Sequence, residues 1–112
     1  MNFDGILFFP VTPFDADGRV DEGLLRQHLD TTLAHSPGGV FPACGTGEFH
    51  ALSTDEATRV VQIATETVAG RVPVVAGTGG PLGHATTLAR AAADAGADAL
   101  LVLPPYLVGG PQ

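Results

Sequence analysis

The stretch Val72-Pro-Val-Val-Ala-Gly-Thr-Gly-Gly80, then a helical pattern to Ala95, then Ala99-Leu-Leu-Val-Leu103, sets the architecture. Both apolar runs are short, are bounded by Gly or Pro, and lack the apolar–polar alternation of a half-exposed strand. Each therefore reads as a strand covered on both faces, as in a parallel sheet. The segment between them predicts a helix from about His84 to Ala95, with Leu88, Ala92 and Ala95 facing inward and Gly96 as its stop. Strand, helix and strand of this length make a parallel βαβ step.

The same unit recurs upstream. Ile6-Leu-Phe-Phe-Pro-Val11 and Gly39-Val-Phe-Pro-Ala-Cys44 are further buried-strand runs, and the four runs start at 6, 39, 72 and 99. A first helix is expected from about Asp21 to Ala34, with Asp21 as N-cap, Leu25, Leu29 and Leu33 on one face, and Pro37-Gly38-Gly39 beyond its end. A second is expected from about Thr54 to Ala69. There Ser53 and Glu56 form a capping-box signature, Val60, Val61, Ala64 and Val68 form the stripe, and Gly70 sits at the exit. Pro10, Pro42 and Pro73 lack an N–H and weaken ladder positions inside the runs. The order is β-α-β-α-β-α-β.

Composition narrows the function. With five basic residues against twelve acidic ones the formal charge is −7, which argues against nucleic-acid binding. An apolar fraction of 45% indicates a packed chain. The longest apolar stretch, Ala99 to Val108, contains two prolines and is too short to cross a bilayer. The N-terminus shows no secretory pattern, and one cysteine forms no internal disulfide, so the expected setting is a reducing cytoplasm. All five basic residues are arginine, and the chain has no lysine. Chemistry that needs a lysine amine is therefore closed to this polypeptide by itself.

An open doubly wound sheet and a (β/α)₈ barrel share this alternation. A barrel needs roughly 250 residues, whereas a closed flavodoxin-like sheet needs a fifth strand and a last helix. The final strand run and its loop lead into Val108-Gly-Gly-Pro-Gln112 without a covering helix, so the expectation is one incomplete domain over residues 1–112, the N-terminal half of a barrel. In either architecture function gathers at the carboxyl ends of the strands. Those ends are Thr12-Pro13-Phe14, Cys44-Gly-Thr-Gly-Glu-Phe49, Gly77-Thr-Gly-Gly80 and Pro104-Pro-Tyr-Leu107.

In the second of these, Gly45 and Gly47 allow close approach of backbone N–H groups to an anion, and Thr46 adds a hydroxyl donor. Such a loop can hold a carboxylate or a phosphate. The plainer alternative is a tight turn in which Thr46 bonds its own backbone. Gly77-Thr-Gly-Gly80 is not a dinucleotide fingerprint. His28, His35, His50 and His84 lack metal-ligand spacing, Cys44 reads as a small core residue, and Asp15-Ala-Asp-Gly18 reads as a turn.

Four blocks now stand in order: Phe3 to Phe14, Gly45 to Phe49, Gly70 to Thr78, and Ala95 to Tyr106. Together they resemble the dihydrodipicolinate synthase/N-acetylneuraminate lyase superfamily, and within it the 5-dehydro-4-deoxyglucarate dehydratase branch. The resemblance implies a (β/α)₈ barrel acting on a 2-oxo acid through a Schiff base. A lysine on the sixth strand forms the imine and a tyrosine on the fifth assists proton transfer, both beyond Gln112. No cofactor or metal is implied. The family pattern G-T-T-G-E falls on Cys44-Gly45-Thr46-Gly47-Glu48, which makes Gly45, Thr46, Gly47 and Glu48 the substrate-binding candidates. Gly45 in place of the first threonine agrees with the dehydratase branch, whereas Cys44 departs from the usual glycine. Where synthases carry Y-Y after the fourth strand, this chain has Tyr106-Leu107, so the second tyrosine's proton relay is missing.

The expected function is therefore that of a hydro-lyase that dehydrates and decarboxylates a sugar-derived 2-oxo acid to 2,5-dioxopentanoate. This chain would supply the carboxylate loop and no catalytic residue, and alone would be inactive. Thr12 and Tyr106 are candidate active-site or interface positions. The expected partners are a small-molecule 2-oxo sugar acid and, for the complete enzyme, further copies of itself, with no nucleic acid and no membrane. Two alternatives are a noncatalytic half-barrel that self-associates or binds an anion, and the synthase or aldolase branch of the same superfamily.

Overall fold

The computed structural model describes residues 1–104. Tyr106 lies outside the described residues. Within them the elements follow in order: β1 (Leu7–Phe8), α1 (Glu22–Leu33), β2 (Gly39–Val40), α2 (Thr54–Val68), β3 (Val75–Thr78), α3 (Leu82–Ala95) and β4 (Ala99–Val102). A short 3₁₀ turn, Phe49–Ala51, precedes α2.

All strand pairs are parallel. Leu7 faces Gly39 and Phe8 faces Val40 in the first pair, and Val75 to Thr78 face Ala99 to Val102 in the second. A single bridge between Val40 and Val74 joins the pairs, with the Val40 N–H donating to the Pro73 carbonyl at 2.9 Å. Spatial order thus follows chain order.

The ladders are shorter than the apolar runs. Proline has no N–H to donate, so β1 and β2 stop short of Pro10 and Pro42. Strand β3 starts two residues after Pro73 and extends through Gly77 and Thr78, two residues expected in a loop that pair with Leu101 and Val102. The expectation of strands covered on both faces holds for β2 and β3 and fails for the outer two. Ile6 is 82% exposed beside β1, and Leu100 and Val102 are 42% and 69% exposed on β4. These strands have no neighbour on one side among the described residues.

Helix ends follow local chemistry. Asp21 caps α1 by accepting the Leu24 N–H at 3.0 Å. Ser53 and Glu56 close a reciprocal box on α2, and caps of this kind each contribute about 1 kcal/mol. The left-handed exit from α2 begins on Ala69 (φ 51°) and continues through Gly70 (φ 78°). Helix α3 starts at Leu82, earlier than the expected His84, with Pro81 as its N-cap and the Pro81 carbonyl accepting the Ala85 N–H at 2.8 Å.

Burial patterns decide between the two architectures. Leu25, Leu29 and Leu33 of α1, Val60, Ala64 and Val68 of α2, and Leu88 and Ala92 of α3 share one core with Val40, Val74 and Ala76. The alternate residues Phe41 and Val75, with Cys44, form a second and smaller cluster with Phe9, Ala99 and Leu101. All three helices therefore cover one face of the sheet. A doubly wound sheet places helices on both, so this is the wall of a barrel with its inner face holding the smaller cluster. Burying side chains such as Leu25, Leu29 and Ile63 contributes about 1.5–3 kcal/mol each. On the outer surface Arg59 grips both carboxylate oxygens of Glu22, at 3.0 and 2.8 Å, tying α2 to α1. That pairing holds Glu22 below the usual carboxylate range. No helix among the described residues is long and apolar enough to cross a membrane.

Candidate functional site

Parallel pairing brings the carboxyl ends of the strands to one end of the sheet. The segment after β2 lies at the centre of this end. Its amides close a tight structure: Glu48 N–H donates to Gly45 O and Phe49 N–H to Cys44 O, both at 3.0 Å. Two residues that are not glycine adopt left-handed backbone here, Ala43 at φ 53° and Glu48 at φ 62°. Such conformations are uncommon away from glycine and persist where the surroundings over-determine them.

The surroundings do so from two sides. On the β3 side, Gly77 N–H donates to Pro42 O at 3.3 Å, and a Cβ at Gly77 would overlap the Ala43 carbonyl. On the β1 side, a Cβ at Gly47 would stand 3.1 Å from both Pro10 O and Ala43 N. The buried Thr12 hydroxyl donates to Gly47 O at 2.7 Å. Gly45, Thr46 and Glu48 remain exposed, and among the described residues Thr46 makes no hydrogen bond. Thr46 does not bond its own backbone, so the plain-turn alternative loses its main contact.

The loop borders an open groove of about 590 Å³ lined by Gly45, Glu48, Phe49, His50 and Ala51. Phe49 is buried and lies against His50 edge-on, with ring centroids 5.1 Å apart. Its ring comes within 3.5 Å of the Cβ position at Gly79, which links the loop to the end of β3. Beneath the loop the Cys44 thiol sits 3.5 Å from Pro42 O and 3.9 Å from Val75 O. Burial pushes it up to about 12, so it is a packing group and no nucleophile at neutral pH.

The candidates Gly45, Thr46, Gly47 and Glu48 thus form one turn, and Thr12 joins it through Gly47. The turn after β3 contributes none of these candidates. Thr78 belongs to the strand, and its hydroxyl donates to Ala85 O of α3 at 2.8 Å. His28 packs edge-on to Phe8 with centroids 5.1 Å apart, and His84 faces Thr54 at 3.4 Å. Asp15 forms the expected turn, its carboxylate accepting from the N–H groups of Asp17 and Arg19. The sequence did not announce the 3₁₀ turn, the buried Phe49, or the left-handed Ala43 and Glu48, because neither alanine nor glutamate signals that conformation.

The model of the dihydrodipicolinate synthetase family matches residues 2–112. The Streptomyces avermitilis protein named "Probable 5-dehydro-4-deoxyglucarate dehydratase 2" is 60% identical over 108 residues, covering 96% of this chain and 33% of that protein. A protein of the same activity name from Oceanobacillus iheyensis is 44% identical, covering 96% and 35%. The chain spans about a third of the length of these relatives. Among solved structures, dihydrodipicolinate synthase from Bacillus clausii superposes with a TM-score of 0.87 at 37% identity, over 94% of this chain and 37% of the other. YagE from Escherichia coli, solved with pyruvate, gives 0.87 at 32% identity, over 98% and 38%. A barrel wall with a Gly-Thr-Gly-Glu turn at its carboxyl end and a family match along nearly all its length lead to one assignment: the chain belongs to the dihydrodipicolinate synthetase family.

Proposed function

We propose that this chain supplies the carboxylate-binding turn of a 5-dehydro-4-deoxyglucarate dehydratase, an enzyme that removes water and carbon dioxide from a sugar-derived 2-oxo acid. The observation that supports it most is the turn itself. An exposed Thr46 hydroxyl with no hydrogen bond among the described residues stands between two glycines, on a backbone held from β1 and from β3. An alkyl carboxylate needs several short donors, and a hydroxyl flanked by glycine amides offers them. The names of the relatives favour the dehydratase branch, as does Gly45 in place of the first threonine of the family pattern.

The imine-forming amine would come from outside these residues, since the sequence holds no lysine. The role of this chain is to bind and orient the carboxylate next to the reacting keto carbon, and alone it would turn over nothing. Joining residues 1–112 to the remaining two-thirds of the Streptomyces avermitilis relative tests this. Release of carbon dioxide from 5-dehydro-4-deoxyglucarate, lost on Thr46→Ala, is the expected result. A chimera that instead condenses pyruvate with an aldehyde would favour the synthase or aldolase branch.

The exposed apolar residues of β1 and β4 favour a second reading, a noncatalytic half-barrel that associates with itself. Light scattering on the isolated chain addresses it.

A further inference from the structure

The Thr12 hydroxyl donates to Gly47 O at 2.7 Å across 35 residues of sequence, from a side chain only 5% exposed. The bond reaches the turn from the end of a different strand. We propose that Thr12 is a positioning residue: it holds the Gly47 carbonyl inward, fixes the left-handed Glu48 that follows, and so keeps Gly45 and Thr46 presented to a 2-oxo acid carboxylate. The last clause rests on the reading of this turn as a carboxylate site.

The geometry leaves the turn few other restraints on the β1 side. Gly47 has no side chain to pack, and a Cβ there would crowd Pro10 O at 3.1 Å, so the turn is held here through its backbone, at the carbonyl that Thr12 reaches. Releasing that carbonyl frees the peptide unit between Gly47 and Glu48. Glu48, at φ 62° and ψ 46°, then has little reason to stay left-handed. The bond from Glu48 N–H to Gly45 O is made by that same peptide unit, and the bond from Phe49 N–H to Cys44 O depends on the left-handed Glu48. Thr78 is a natural control, since it too is buried and donates to a backbone carbonyl, but the carbonyl belongs to Ala85 in α3.

The test uses the 112-residue chain as wild type, Thr12→Val, Thr12→Ser and Thr78→Val, with amide exchange followed by NMR and pyruvate as the titrated ligand. In Thr12→Val, exchange of the Glu48 and Phe49 amides is expected to accelerate and pyruvate affinity to fall, each about fivefold, the size of one neutral hydrogen bond. Thr12→Ser restores both, and Thr78→Val alters neither. Wild-type exchange and affinity in Thr12→Val would overturn the proposal, as would equal loosening of the turn by Thr78→Val. If wild type binds no pyruvate, the carboxylate reading falls, while the exchange pattern still decides for or against the clamp. Should Thr12→Val fail to fold, the wild-type spectrum decides. A slowly exchanging Thr12 hydroxyl proton close to Gly47 supports the clamp, and its absence overturns it.

Discussion

Val74 and Asp98 hold each other through two hydrogen bonds of 2.8 Å, the Asp98 N–H donating to Val74 O and the Val74 N–H to the Asp98 carboxylate. Val74 is 2% exposed, follows a proline, and bridges β2 to β3, so its N–H needs a partner where the ladder to β4 has not yet begun. A carboxylate one residue before β4 supplies it and fixes the register of Val75 opposite Ala99. Asp98→Ala is therefore expected to destabilise by about 1–3 kcal/mol, the cost of a buried donor left alone. Asp98→Asn keeps an acceptor oxygen and should recover most of that loss, as read from urea denaturation.

This pair shows what the sequence disclosed and what it did not. Asp98 stood inside the motif Ala95 to Tyr106 that carries the family resemblance, yet nothing in its neighbours told that its carboxylate would serve Val74, 24 positions upstream. Helices were legible because caps and periodicity are local: Asp21, Ser53 with Glu56, and the Leu25-Leu29-Leu33 face all stand where the pattern put them. Strand limits were less legible. Apolarity marks what is buried, whereas pairing depends on which N–H groups exist, and Pro10, Pro42 and Pro73 remove three of them. The turn at Gly45-Thr46-Gly47-Glu48 was visible as a motif. Its clamp was not, since Thr12 and Gly47 are brought together only by the parallel pairing of β1 and β2.

Glycine substitutions separate packing from presentation in the same turn. A Cβ on Gly77 would overlap the Ala43 carbonyl, backbone that cannot move without disturbing the turn, whereas at Gly45 nothing lies within 4 Å. Gly77→Ala should cost about 1–3 kcal/mol through overpacking. Gly45→Ala should leave thermal stability close to wild type. A Gly77→Ala melting curve that overlays wild type would mean that β2 and β3 are not so closely joined at this point.

Cys44 gives the fold a dependence on alkaline pH. In the unfolded chain its thiol titrates at an ordinary value of 9.0, and in the folded chain burial raises this to about 12. The folded state therefore retains a proton that the unfolded state gives up. This contribution is intact below pH 9 and is lost as pH rises towards 12, at about 1.4 kcal/mol per pH unit. The stability difference between wild type and Cys44→Ala should be constant from pH 6 to 8 and shift against wild type above 9. In native protein at pH 7 the thiol should resist an aromatic disulfide reagent and react only after denaturation.

The exposed apolar side chains of the two outer strands make the association of the isolated chain testable. On β4, Leu100 and Val102 point away from the cluster that holds Ala99 and Leu101, and Leu100 joins Ala89 and Ala93 of α3 around a groove of about 350 Å³. On the other side Ile6 is 82% exposed next to β1. Unpaired strand edges with apolar side chains seek further strands, and a lysine on such an edge opposes that pairing by forcing a charge into the contact. Leu100→Lys with Val102→Lys should therefore lower the associated fraction of the isolated chain in light scattering. Because both side chains are already exposed, the melting temperature measured at low concentration should change little. If the double variant associates as strongly as wild type, the contact lies elsewhere, and Ile6→Lys on the β1 side then tests whether the opposite edge carries it.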